Sequence, residues 1–233
     1  LKMKRLLTLL AAALLLPGIL SAHYIWIERE GGTARVYYGE IQDGERETSP
    51  GKLDKITGLR VYTADKKGQN KEVKNTKTAE FFVAEAGKAE FVLADSLDVP
   101  VADMKKYNWG MVKPMYYARH GAQSANAEVR PAQTLDIVPV AGGQNVFQVF
   151  FNGKPLKGEK LMVYAPNTWA KEYKTDAEGK VKLETPWAGQ YVLEVIHTDK
   201  TPGKFEGKDY ESVRHRATYT FKKELPHPPA PSP

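Results

Sequence analysis

Five histidines occur in the 233 residues, and four of them, His23, His120, His197 and His215, stand at or near the ends of apolar, alternating segments. Imidazole is the commonest metal ligand among side chains and the one that titrates nearest neutral pH, so the four together raise metal chemistry first. His23 is the most informative. It follows "PGILSA", and if the chain is cut after Ala22 it becomes the first residue. An N-terminal histidine offers two nitrogens, its α-amine and ring Nδ1, which chelate one ion in a six-membered ring. The amine has a reference pKa near 8 and gives up its proton far more readily than lysine. A further imidazole would complete a three-nitrogen set suited to Cu(II) or Ni(II). His197 and His215 flank the loop "TDKTPGKFEGKDYESV" and would face each other if their strands pair. His120, in "YYARHGA", could approach from a second domain. Glu28, Glu40 and Glu45 are available as oxygen ligands, although none has motif spacing. The fifth histidine, His227, lies in a proline-rich tail and is set aside.

Other chemistries find no support in the residues. There is no His-x-x-x-His or His-x-Glu signature, no serine nucleophile elbow and no glycine-rich phosphate loop; "VAGGQN" leads into a strand, not a helix. The expectation is a protein without catalytic residues. The absence of cysteine excludes disulfides and thiolate metal sites. The formal charge of +6 owes something to Lys2, Lys4 and Arg5, and the remaining lysines are scattered among acids. A solvated surface is favoured over nucleic-acid binding.

The elements that must position these side chains are strands. Residues 1–22 read as a signal peptide: a basic start, the apolar run "LLTLLAAALLL", then Pro-Gly and the cut. This run is too short to span a bilayer stably, and it predicts an exported, periplasmic protein with no membrane span once the signal is removed. "HYIWIER" alternates, with His23, Ile25 and Ile27 on one face, and "ARVYYGE" follows a Gly-Gly turn, which predicts a hairpin. "EFFVAEA" and "AEFVLAD", joined by Gly87-Lys88, predict a second. The polar stretch 43–56 holds a short helix at most. A strand around 112–120 precedes a boundary near 130. Short β-branched and aromatic strands with turn signals every 8–12 residues then predict a β-sandwich. The fold class is all-β, with two β-sandwich-like domains: an N-terminal β-domain over 23–130 and an immunoglobulin/transthyretin-like sandwich over 131–223. Residues 224–233 read as a disordered Pro-rich tail. Trp26, Trp109, Trp169 and Trp187 read mainly as packing, with Trp109 and Trp169 in loops.

Two resemblances add to this. "FNGKPLKGEKLMVY…YKTDAEGKVKLETPWAGQYVLEV" resembles the carboxypeptidase-regulatory or transthyretin-like module, which implies a fold and says little of function. "AHYIWIE", "ARVYYGEIQDGERETSPGKLDKI", "AGQYVLEVIHTD" and "GKDYESVRHRATYTF" together resemble a bacterial periplasmic family of unknown function, described as periplasmic components of nickel/cobalt transport systems. That resemblance implies work near divalent metal transport, with membrane transporter components as partners. Its post-signal histidine matches His23, and its last histidine-bearing strands match His197 and His215. The reading is therefore a periplasmic protein binding a divalent transition metal (Ni, Co or Cu) for uptake or delivery. The alternatives are a non-catalytic structural or adhesive module of the cell envelope and a copper-dependent oxidative enzyme.

Overall fold

The computed structural model describes residues 23–224; the segment read above as a signal peptide, most of the proline-rich tail and His227 lie outside them. Among the described residues, strands make up 53% and no helix reaches seven residues. Strands β1 (Tyr24–Glu30) and β2 (Thr33–Glu40) form the expected hairpin, Glu30 opposite Thr33, with Gly31 in the left-handed region at φ 57°. β2 also pairs with the short β3 (Glu45–Arg46) and with Phe82–Glu85.

The second expected hairpin does not form. Phe82–Glu85 joins the β1–β2 sheet, whereas Phe91–Ser96 pairs in a different sheet with Arg60–Ala64 and Met111–His120. The Gly87-Lys88 turn is captured by the tip of β1–β2 instead. The amides of Ala86 and Gly87 both donate to the Gly32 carbonyl, and the Arg29 guanidinium donates to the carbonyls of Gly87 and Ala89. These bonds turn the chain from one layer to the next.

The central sheet has nine strands, and its middle is a parallel pair, Met111–His120 beside Ser212–Lys223. The latter pairs on its other side with Gly189–Asp199, which places His197 opposite His215. The expected boundary at 130/131 falls in a loop, and the two halves it separates share this sheet. Because side chains alternate across a strand, the sheet feeds a core on each face. Tyr116 and Ala118 point toward β1–β2, packing with Ile25, Ile27, Val36 and Val61. Tyr117, Ala217, Tyr219 and Phe221 point the other way, onto Leu135–Pro139 and Val146–Phe151.

β1 lies across the first face and is buried on both of its own sides. Tyr24 and Trp26, opposite Ile25 and Ile27, pack with Tyr37 and Val192. The Thr218 hydroxyl donates to the Ile25 carbonyl at 2.8 Å. On the other face, Arg119 and Asp136 form a two-pronged ion pair (Nε–Oδ1 2.9 Å, Nη2–Oδ2 2.5 Å) with both residues at most 1% exposed. Asp136 also accepts from the amides of Ala132 and Gln133.

Removing one member of a buried pair leaves the other charge uncompensated, at a cost of about 3–5 kcal/mol. Asp136→Ala should therefore lower the stability measured by urea unfolding by that amount. A loss below about 1 kcal/mol would mean that the pair does not hold the two layers together.

Candidate metal centre

His23 enters β1 just before its first buried residue, on the face shared by Ile25 and Ile27. Its backbone is held from far along the chain. Arg216, on the central strand Ser212–Lys223, donates from Nη1 to the His23 carbonyl at 3.0 Å. The same guanidinium is paired through Nε with buried Glu194, which also accepts from the Tyr164 hydroxyl. The imidazole tilts against the Tyr38 ring, 5.2 Å between centroids.

Around that ring stand three carboxylates from one short stretch. Glu40 ends β2 and is only 2% exposed; its Oε1 lies 3.1 Å from Nδ1. Glu45 opens β3, and its Oε2 is 3.6 Å from Nε2. Glu47, just beyond β3, makes a short hydrogen bond with Nε2. The chain turns back between them through a 3-10 turn, Ile41–Asp43, ended by Gly44 at φ 67°. The Gly39 position opposes Arg46 with a φ of 150° and has its would-be Cβ 2.1 Å from the Glu45 carbonyl oxygen, so only glycine admits β3 this close.

Lys52 closes the cluster. Its ammonium donates to Glu47 at 2.7 Å and to Glu45 at 3.3 Å, and it lies 3.5 Å from the His23 ring. Burial raises the Glu47 carboxyl, but hydrogen bonds from Lys52 and His23 outweigh this and hold it below its ordinary range.

Among the described residues, His23, Glu40 and Glu45 are the group whose ligand atoms all lie within 4.8 Å of one another. Carboxylates face both ring nitrogens. Whichever nitrogen takes an ion, the N–H of the other has an acceptor, which fixes tautomer and ring orientation. One imidazole with two or three carboxylates is a mixed N/O donor set, suited to borderline divalent ions.

The other expected ligands are elsewhere. His197 and His215 do meet, as cross-strand partners, but on the opposite face of the central sheet from His23. Their rings flank Phe151 at 4.4 and 5.1 Å. Each has a protein partner: His197 Nδ1 is 2.8 Å from Glu159 Oε1, and His215 Nδ1 is 3.0 Å from the Tyr117 hydroxyl. His120 shares the His23 face but lies toward the far end of β1, where Arg29 is its charged neighbour. It lies four positions from Tyr116 along the strand, roughly 13 Å. Its buried Nδ1 has no hydrogen-bond partner. Glu28 is engaged by Arg46 and the Trp26 indole, outside the cluster. Glu47 and Lys52 are the site residues that the sequence reading missed. They sit in the polar stretch 43–56, where only the charge density of "GERETSPGKLDK" marked anything.

Fold and site together define an all-β sandwich carrying a histidine–carboxylate cluster at the start of its first strand. The chain belongs to the family described as domain of unknown function (DUF4198), whose model matches residues 20–199. No curated protein and no solved structure matches it.

His120 and His215 have a measurable consequence. Burial, followed by the Arg29 charge for His120 and the His197 charge for His215, pulls both imidazoles down to about 4. The unfolded chain, with ordinary values near 6.5, then binds protons more readily than the folded one. Their contribution is complete above pH 6.5 and is lost as pH falls toward 4. The urea midpoint should drop across that window, and His215→Phe should flatten the drop. An identical slope in the variant would show that His215 is protonated alike in both states.

Proposed function

We propose that this chain binds one divalent transition-metal ion, Ni(II), Co(II) or Cu(II), at His23, Glu40 and Glu45, and serves metal uptake or delivery at the cell envelope. The observation that carries the reading is the convergence of one imidazole and two carboxylates within 4.8 Å on a residue anchored by a buried guanidinium. Three carboxylates around one ring form a site of high negative potential, and Glu40 is too buried for solvent to screen it. A doubly charged ion offsets that potential better than the lysine ammonium does. Lys52, whose side chain is half exposed, acts as the resident counter-charge that an arriving ion displaces.

The periplasmic setting and a transporter partner follow from the signal-like opening and the family resemblance. If the mature chain begins at His23, its α-amine adds a second nitrogen beside Nδ1 and shifts preference toward Cu(II) and Ni(II). The role is stoichiometric binding without turnover.

The test is calorimetric titration of the protein beginning at His23 with each of the three ions. His23→Ala and Glu40→Gln should each weaken binding tenfold or more, about 1.4 kcal/mol. Lys52→Met should strengthen it, and His197→Ala should leave it unchanged. One extra glycine before His23 reports whether the amine takes part. Absence of binding, or equal binding after His23→Ala, would overturn the reading and favour a structural envelope module.

A further inference from the structure

Beside the cluster lies a cleft of about 570 Å³ that a bare ion does not need. His23 and Lys52 stand on its wall, as do Tyr116, Trp109 and Arg214. One flank is apolar, formed by Val99–Val101 and Pro114. That flank is pinned from behind: the ammonium of Lys113, 1% exposed, donates to the Leu97 and Val99 carbonyls at 2.5 and 2.6 Å.

Arg214 is the unusual member. It lies two residues before Arg216 on the same face of the same strand, so the two Cα atoms are about 7 Å apart. Arg216 is engaged through Nε by Glu194 and through Nη1 by the His23 carbonyl. Arg214 is only partly exposed, and its guanidinium stacks 4.1 Å from the centroid of Trp109. Among the described residues it has neither a carboxylate partner nor a hydrogen-bond acceptor. Stacking leaves the edge of the guanidinium, with its paired N–H donors, free to take a carboxylate bidentately.

We propose that the cleft binds a small organic polycarboxylate that carries the metal ion as a chelate. One carboxylate pairs with Arg214, the carbon skeleton lies along the Val99–Val101 flank, and the metal-bearing end meets His23 and its glutamates. This rests on the metal reading above and names its cargo: a chelated ion in place of a free one.

The probe is citrate, alone and as Ni(II)–citrate, titrated into metal-stripped protein beginning at His23, with Ni(II) in non-coordinating buffer as the third arm. Wild type should bind Ni(II)–citrate at least tenfold more tightly than citrate alone. Arg214→Gln should weaken Ni(II)–citrate binding tenfold or more while leaving binding of Ni(II) alone within twofold. Arg214→Lys, which keeps the charge but loses the fork, should fall between them, and it serves as the test if the glutamine variant does not fold. If Ni(II) alone binds and both Arg214 variants take Ni(II)–citrate like wild type, the chelate proposal is overturned and the metal site stands. If citrate binds through Arg214 but Ni(II) neither binds nor tightens it, the metal reading falls, and the chelate proposal falls with it.

Discussion

The parallel pairing of Met111–His120 with Ser212–Lys223 is the constraint on which the rest of the structure depends. It joins strands about a hundred residues apart into one sheet and so gives the chain a shared middle layer with two cores. Every residue of the two strands is thereby assigned a side. Even-numbered positions from 214 to 218 look toward β1; odd-numbered ones from 215 to 221 look toward the opposite layer. The histidines divide on this parity alone, His23 with the arginines and His215 with Phe151 and Tyr117.

That division explains the composition of the cluster. On the His23 side the central strand supplies cations, Arg214 and Arg216, and no imidazole. The anions come from the other direction, out of the turn that follows β2. The cluster therefore sits between a carboxylate-rich loop and an arginine-bearing strand, and Arg216 links them by holding the His23 backbone while pairing with Glu194. A buried guanidinium satisfied on two sides is a rigid support, which a site built from a short loop otherwise lacks.

Much of this was legible in the sequence, for reasons that differ by element. Alternation in "HYIWIER" correctly placed His23 with Ile25 and Ile27, because a strand with one face on the core has its register fixed by its apolar residues. The same logic put His197 across from His215. What alternation does not carry is which layer covers which face, and so the histidines were expected to converge when they are separated by the sheet. Glu40 and Glu45 were in view as oxygen donors, but Glu47 and Lys52 lie where no period exists to orient a side chain. The Gly87-Lys88 turn misled for a related reason. A turn signal shows that the chain bends, and here the partner was chosen by Arg29 and Gly32 at long range.

The bond from Arg216 to His23 spans 193 positions in the chain. Contacts of such separation form slowly because a long loop must close before they contribute. The cluster is therefore one of the final features to mature. Before that closure the histidine and the glutamates are independent groups with no common support. Only the completed sheet brings the Arg216 guanidinium to the His23 carbonyl, so the imidazole takes its fixed place among the glutamates when the last strand closes the fold.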